Sequence, residues 1–259
     1  MALHFTLAFV FGLLGNVISF LVCLAPIPTF YQICKKKTSE GFQSIPYVIA
    51  LFSAMLWLFY ALFANDATLL ITINSFAFFM ETAYIAIYLF YAIKNDRIFT
   101  IKLVLLFNVF GFGAICSVAM FLTHDEKRVK LLGWICMIFS LCVFAAPLAI
   151  LRKVIKTRSV EFMPFSLSLS LTLSAVMWFF YGFLKKDLYV AVPNILGFLF
   201  GIIQMVLYVI YRRPNRSVAD QEQKADELAN QQCIIEVAKL SNNDHDHEQQ
   251  PGIVASVTV

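Results

Sequence analysis

The sequence predicts an all-α membrane protein, with seven transmembrane helices arranged as two parallel three-helix repeats joined by an inverter helix. Its composition is 60% hydrophobic and only 14% charged, and the mean hydropathy is +0.78. The apolar stretches are continuous rather than alternating, which excludes the strands of a membrane β-barrel. The chain also repeats itself, as described below. Helices are the remaining structure that leaves no backbone group unpaired in lipid.

Seven stretches without charged residues are each long enough to cross a hydrocarbon core, which needs about 20 apolar residues. They lie at residues 5–27, 45–63, 68–93, 101–122, 131–151, 165–184 and 188–211. Four prolines stand near the predicted helix ends, two of them just inside a helix start, where a missing N–H group costs little, and two near the far end of a helix. These prolines are Pro26, Pro46, Pro147 and Pro164.

The basic residues predict the orientation of these helices. When the loops are assigned to alternate sides, thirteen lysines and arginines collect on one side and five on the other. Because cytosolic loops carry the excess of positive charge, we expect an extracellular N-terminus and a cytosolic C-terminus. Residues 212–259 are polar and acidic with few aromatics, so we expect a disordered cytosolic tail.

An internal repeat organises the chain. A shift of 121 positions, with one residue of slip near its end, aligns the following pairs: Ser19 with Ser140, Pro26 with Pro147, Trp57 with Trp178, Tyr60 with Tyr181, Asp66 with Asp187, and Asn74 with Asn194. Residues 5–93 and 131–211 are therefore the two predicted copies, and residues 101–122 form a linker helix without a counterpart. Because each copy has three helices, an odd number, a second copy that followed directly would be upside down in the membrane. The linker helix adds one crossing and so gives both copies the same orientation. Parallel repeats suit a pathway between the two halves, with a site near mid-depth.

Specific motifs accompany the repeat, at residues 24–30 (Leu-Ala-Pro-Ile-Pro-Thr-Phe), 38–42 (Thr-Ser-Glu-Gly-Phe), 158–164 (Arg-Ser-Val-Glu-Phe-Met-Pro), 72–74 (Thr-Ile-Asn) and 192–194 (Val-Pro-Asn). With these motifs, residues 5 to 213 resemble the SWEET sugar transporters of plants. The resemblance implies a bidirectional facilitative uniporter working by alternating access. Residues 53–57 and the Ser-Val pairs look most like the sucrose-transporting clade, with hexoses as a further substrate class.

Two amides, Asn74 and Asn194, lie in apolar helices at equivalent repeat positions. A buried amide without a partner costs a few kcal/mol, so each must pair with something. A bond between helices is one interpretation, but its recurrence in both repeats favours a substrate. Amides bind sugar hydroxyls without charge, and the flat indoles of Trp57 and Trp178 can lie against the C–H faces of a sugar ring.

Small residues leave volume beside the amides and indoles, and the resemblance places them around the substrate. They are Ser19, Val22, Ser53, Ser140, Val143 and Ser174. Room of this kind favours a disaccharide. The alternative is that small residues simply allow close helix packing, which is common in membranes.

The resemblance also implies moving parts. The four prolines would be hinges for alternating access, because a proline weakens a helix locally. Tyr60 and Asp187 would close an outer gate, and Phe42 would close an inner gate. For Tyr60 and Asp187, an interfacial tyrosine and a loop aspartate are equally good interpretations.

Glu81 is the one acid deep within a predicted helix, and intramembrane carboxylates are functional candidates such as proton relays. A structural hydrogen bond is the alternative, since its repeat partner is Gly201. We expect facilitated diffusion without ion or ATP coupling, because the sequence has no Gly-Lys phosphate loop.

Other classes of protein fit less well. A seven-helix receptor would not need a tandem repeat, and a proton-coupled PQ-loop-type transporter of another small solute would need charges in its site. We expect no enzyme activity, cofactor or metal site. The expected partners are sucrose or another small sugar and the lipid bilayer of the plasma membrane. A homo-oligomer is left open, and nucleic acid is not expected.

Overall fold

The computed structural model describes residues 2–160 and 165–211, and in that part of the chain every regular element is a helix. The α-helices are α1 (Ala2–Leu24), α2 (Ile27–Lys36), α3 (Ile45–Phe63), α4 (Thr68–Tyr91), α5 (Lys94–Val104), α6 (Phe112–Phe121), α7 (Asp125–Val143), α8 (Ala145–Thr157), α9 (Phe165–Lys185) and α10 (Leu188–Tyr211). A π-helical segment, Leu105–Gly111, joins α5 to α6. Pro164 and the predicted disordered tail lie outside the described residues.

Seven helical stretches of the described chain are long and apolar enough to cross a membrane. The outer surface agrees with this, because large apolar side chains such as Phe121 and Phe90 are 81% and 75% exposed. In water such a surface would aggregate, whereas in lipid it is solvated. The predicted fold class is confirmed.

The first and fifth crossings are each broken into two helices, and both run further than the charge pattern predicts. α1 stops before Pro26 and α2 continues to Lys36, while α7 gives way at Phe144 to α8, which ends at Thr157. The predicted ends at residues 27 and 151 are therefore wrong. Prolines are tolerated in the first turn of a helix, so a new helix begins at each break. Pro26 and Pro147 lie at breaks inside their crossings rather than at the ends.

Both extended crossings finish in the same way. Lys37 after α2 and Arg158 after α8 adopt left-handed backbone conformations, with φ of 55° and 51°. These two residues are 121 positions apart, so the backbone repeats with the same period as the sequence. The fourth crossing, Lys94–Phe121, begins earlier than the predicted residue 101. Its first turns are polar, so a search for stretches without charge did not include them.

The repeats pack together mainly through two pairs of helices in the described part of the chain. α1 packs along α9 and α3 packs along α7, so that the first helix of each repeat lies on the second helix of the other. We call these contacts the α1/α9 seam and the α3/α7 seam. Within the first repeat, α1 and α3 both pack on α4. The pathway predicted between the two halves must therefore run between these two seams.

Asn16 fastens α1 to α4. Its side-chain amide donates to the carbonyl of Leu69 at 2.9 Å, and its oxygen accepts the hydroxyl of Thr72 at 3.1 Å. The side chain is only 3% exposed. A buried amide that finds partners on both sides fixes the register of two helices that apolar contacts alone would let slide.

Candidate functional site

A central cavity of about 310 Å³ lies between the two seams. It is lined by Ser19, Ser53, Trp57, Leu70, Ile73, Asn74, Ser140, Val143, Phe144, Trp178, Val190, Pro193 and Asn194. Both predicted amides, both predicted indoles and several of the predicted small residues are thus brought together from six crossings and both repeats. Val22 and Ser174 do not line this cavity.

The two amides are held identically. Asn74 donates to the carbonyl of Leu70 and Asn194 donates to the carbonyl of Val190, each at 2.8 Å and four residues back along its own helix. One N–H of each amide is thereby used. No hydrogen bond within the described part of the chain uses the second N–H or the carbonyl oxygen of either amide, so these atoms can donate to and accept from a neutral polar molecule in the cavity.

The two indoles are also held in matching ways. Trp178 donates its ring N–H to the hydroxyl of Ser19 at 3.0 Å, and Trp57 donates to that of Ser140 at 3.2 Å. Each indole meets the tyrosine three residues later edge-to-face, with ring centroids 5.3 Å apart for Trp178 and 5.7 Å for Trp57. Since their polar edges are occupied, the indoles have their ring faces to offer to a ligand.

Ser174 takes a different part from its repeat partner Ser53. Its hydroxyl lies 2.9 Å from that of Ser19, across the α1/α9 seam. Ser53 lines the central cavity, and among the described residues no hydrogen bond joins it to Ser140. Ser19 and Ser174 are therefore hydrogen-bonded to each other, whereas Ser140 and Ser53 are not.

Sequence reasoning did not single out four of the lining residues that flank the amides. Leu70 and Val190 stand four residues before Asn74 and Asn194, and Ile73 and Pro193 stand one residue before them. The repeat carried the signal, because Leu70 with Val190, and Ile73 with Pro193, stand at equivalent positions beside the two amides. Pro193 also lacks an N–H group, which frees a carbonyl of the preceding turn.

One end of the central cavity is closed, where α3 ends and α10 begins. We call it the Asp187 end. Asp187 accepts the hydroxyl of Tyr60 at 2.8 Å and, with its other oxygen, the backbone N–H groups of Tyr189 and Val190 at 3.1 and 3.2 Å. Burial raises the pKa of Asp187, while these hydrogen bonds and the charge of Lys185 act in the opposite direction. Tyr60 and Tyr181 are each 3% exposed, so aromatic packing completes this closure.

The other end is open. A second cavity of about 740 Å³, which we call the vestibule, is lined by Cys23, Gln43, Ile45, Pro46, Ile49, Ala50, Ser53, Ala54, Asn74, Ala77, Glu81, Phe139, Cys142, Val143 and Ala145. It shares Ser53, Asn74 and Val143 with the central cavity. The vestibule extends towards the end of the bundle where the exposed Gln43 and Pro46 lie, which we call the proline end.

Phe42 lies beside the vestibule rather than across it. Its ring packs on the cluster formed by Phe30, Ile33, Tyr84, Tyr88 and Ala92, and its carbonyl accepts the hydroxyl of Tyr88 at 3.1 Å. The next residue, Gln43, lines the vestibule, whereas Phe42 does not. In this conformation Phe42 therefore leaves the proline end open.

Comparisons with known proteins agree with this geometry. A family model described as "Sugar efflux transporter for intercellular exchange" matches residues 9–96 and 130–216. The chain is 57% identical to the bidirectional sugar transporter SWEET10 of Arabidopsis thaliana, over 91% of this chain and 81% of that one. It is 56% identical to SWEET13 of Oryza sativa subsp. japonica, over 90% and 80% of the two chains.

A solved structure also matches. A eukaryotic SWEET transporter determined at 3.7 Å resolution superposes with a TM-score of 0.78 and 34% sequence identity, covering 82% of this chain and 100% of that chain. The two matches of the family model coincide with the two repeats, and the relatives are transporters rather than enzymes. The chain therefore belongs to the SWEET family of sugar efflux transporters.

Proposed function

We propose that this protein is a uniporter that carries sucrose, and also the smaller hexoses, across the plasma membrane in both directions. The observation that carries the proposal is the central cavity, in which two amides and two indoles from both repeats face one space. Its described lining has hydrogen-bonding groups but no charged side chain. A neutral polyol with apolar C–H faces matches those groups better than a zwitterion or an ion does.

The proposed substrate contacts use the atoms and ring faces that the protein's own hydrogen bonds do not occupy. Asn74 and Asn194 bind sugar hydroxyls with the amide atoms that their own helices do not use. Trp57 and Trp178 lie against the ring faces. Ser53, Ser140 and Val143 set the volume, and Ser19 and Ser174 hold the wall on the opposite seam.

Sucrose is favoured over a hexose alone by the space available. The central cavity of about 310 Å³ is continuous, through Ser53, Asn74 and Val143, with the larger vestibule. Small side chains at these junctions admit a second sugar ring, whereas larger ones would confine the site to one. The two relatives named above are bidirectional sugar transporters, and that name does not distinguish the two substrates.

Alternating access is supported by one closed and one open end. In the orientation given by the positive-inside rule, with the N-terminus outside and the C-terminus in the cytosol, the Asp187 end is extracellular and the vestibule faces the cytosol. The hydrogen bond between Tyr60 and Asp187 then closes the outer gate. Pro26, Pro46, Pro147 and Pro164 are the proposed hinges and Phe42 the inner gate.

Uptake of labelled sucrose and labelled glucose into cells without their own carriers tests the function. We expect both sugars to equilibrate, at rates that do not change when an ionophore removes the proton gradient. Accumulation above equilibrium that depends on the gradient would show a coupled transporter. Absence of uptake, with the protein at the cell surface, would contradict sugar transport itself.

A further inference from the structure

Glu81 lies inside the vestibule without a partner for its charge. The side chain is 8% exposed and belongs to the vestibule lining. Within the part of the chain that the structure describes, its Oε2 atom is buried and has no hydrogen-bond partner. A structural hydrogen bond for this atom, one of the two roles suggested by the sequence, is therefore absent. A buried carboxyl oxygen without a partner is costly, and a hydrogen-bond donor on a molecule in the vestibule would lower that cost.

Glu81 lies on the path of a molecule that moves from the central cavity into the vestibule. It follows Asn74 by seven residues on α4, which brings both side chains to the same face, about 10 Å apart along the axis. Asn74 lines both cavities and Glu81 lines the vestibule. A molecule moving from the central cavity to the proline end passes from the amide to the carboxylate.

The second repeat shows that the fold does not need an acid at this position. The equivalent residue is Gly201, which lies directly against Thr172 of the neighbouring helix. There α10 and α9 meet, and the space that a side chain would occupy is filled. In the first repeat the same position faces a cavity and carries a carboxylate, so Glu81 is not a packing residue common to both halves.

Tyr84, three residues further along α4, does not pair with the carboxylate. The hydroxyl of Tyr84 donates to the carbonyl of Cys23 at 2.8 Å, so it is already used. Most of the other lining is apolar, with Pro46, Ile49 and Ala50 on the α3 side. Among the described residues that line the vestibule, Glu81 is the one with a full negative charge when ionised.

We propose that Glu81 forms a second sugar site in the vestibule, where its carboxylate accepts hydrogen bonds from hydroxyl groups of a sugar that enters from or leaves towards the proline end. A carboxylate has two oxygens and suits a pair of adjacent hydroxyls. This inference rests on the proposed sugar transport. It assigns Glu81 to binding of the sugar rather than to the relay of protons.

The test compares sugar entry from the two faces of the membrane. Initial rates of sucrose uptake are measured in right-side-out and inside-out vesicles for wild type, Glu81→Gln, Glu81→Ala and the control Thr82→Ala. Thr82 is the adjacent exposed residue, and its hydroxyl bonds to the carbonyl of Phe78 in its own helix. In the proposed orientation the vestibule is reached first in inside-out vesicles.

We expect Glu81→Ala to raise the half-saturating sucrose concentration at the vestibule face about tenfold, the size of one hydrogen bond to a charged group. The value at the other face should change much less. Glu81→Gln, which still accepts and donates hydrogen bonds, should lie between wild type and Glu81→Ala. Both variants should be at least as heat-stable as wild type, because an unpaired carboxylate is removed.

Three outcomes overturn the inference. Unchanged half-saturation at the vestibule face in Glu81→Ala would show that the sugar does not contact this group. Transport by wild type that stops when the proton gradient is removed, together with loss of transport in Glu81→Gln, would identify a proton site. Loss of heat stability in both variants would identify a structural role. If wild type itself moves no sugar, the proposed function fails instead.

Discussion

The two seams between the repeats are built from equivalent residues but differ in closure. In the α1/α9 seam, Ser19 bonds both to Trp178 and to Ser174 across the helices. In the α3/α7 seam, Ser140 bonds to Trp57, and Ser53 faces the cavities instead. The same chain segment, used twice, thus makes one closed contact and one contact that opens into the vestibule.

The two seams also differ in the size of one side chain beside an indole. A Cβ atom on Gly15 of α1 would lie 3.1 Å from the indole of Trp178, which is tighter than an ordinary van der Waals contact. The repeat equivalent of Gly15 is Cys136, a buried residue of α7. Glycine lets α1 approach the indole of Trp178 directly, whereas the equivalent position of α7 carries a larger side chain.

This comparison suggests how the two ends alternate. A seam closed by glycine contact and a serine pair is suited to act as a pivot, and a seam that is partly open is suited to move. We expect the repeats to rock about the α1/α9 seam while the α3/α7 seam opens and closes the vestibule. Pro46 at the start of α3 and the break between α7 and α8 allow the moving helices to bend.

The largest effect is expected at the amides, which line the central cavity between the two seams. Asn74→Ala or Asn194→Ala removes hydrogen bonds to sugar hydroxyls, each worth roughly 1–3 kcal/mol, and also removes orientation of the sugar. Sucrose flux should fall more than a hundredfold, with the protein folded and at the membrane. Flux measurements beside a surface-labelling control check this, and normal uptake by either variant would count against the site.

The pivot can be broken by adding bulk to it. In Gly12→Val, the new Cβ would lie 2.6 Å from Leu69 and 2.7 Å from the buried ring of Tyr181, so α1 must move off its neighbours. Overpacking of this kind costs about 1–3 kcal/mol. We expect lower thermal stability and about tenfold lower flux.

Gly113→Val is the matched control for Gly12→Val, because no atom lies within 4 Å of a Cβ at Gly113. It should change thermal stability and flux little. Equal losses in the two variants would mean that added bulk in any helix, and not the closed seam, decides the result.

The serines sharpen the comparison between the seams. Ser19→Ala loses bonds to both Trp178 and Ser174, whereas Ser140→Ala loses one bond, to Trp57. With roughly 1 kcal/mol for each bond, Ser19→Ala should destabilise the protein about twice as much. Thermal unfolding in detergent measures this. The reverse order would show that the α3/α7 seam is the tighter one.

The smallest effect concerns sugar size. Val143 lines both cavities, whereas Val22 lines neither. Val143→Leu adds one methylene, which typically changes selectivity by about 1–3 kcal/mol, and it should lower sucrose flux more than glucose flux. Val22→Leu should alter the ratio of the two fluxes less. If Val22→Leu has the larger effect, the valine nearer the open seam does not determine size selectivity.

Much of this architecture could be predicted from the sequence, because continuous apolar stretches and a long repeat leave few alternatives. The seven crossings and the convergence of Asn74, Asn194, Trp57 and Trp178 follow from hydropathy and from repeat symmetry. The ends of the first and fifth crossings did not follow, since a charged turn can continue a helix beyond the membrane. Asn16 was not recognised, because its partners are on another helix.

The turn at the Asp187 end shows where alignment by residue identity fails. The sequence pairs Asp66 with Asp187, but Asp66 and Lys186 share the left-handed conformation, with φ of 51° and 58°. Asp187, which precedes α10, is thus the equivalent of Ala67, which precedes α4. Only the second repeat has a carboxylate there, so Tyr60 finds a partner while Tyr181 has alanine at the corresponding position. Backbone conformation, which the sequence pattern does not report, determines this asymmetry.

Distances across the two seams test the central claim, that the α3/α7 seam moves while the α1/α9 seam stays closed. Spin labels at Gln43→Cys and Ala145→Cys flank the vestibule, and labels at Leu24→Cys and Leu169→Cys report on α1 and α9. Pulsed electron–electron double resonance gives both distances with and without sucrose. The protein is reconstituted in liposomes, in a background without native cysteines. We predict a two-state distribution that sucrose shifts for the first pair and a single unchanged distance for the second. Equal changes in both pairs, or a change confined to the second pair, would contradict the account.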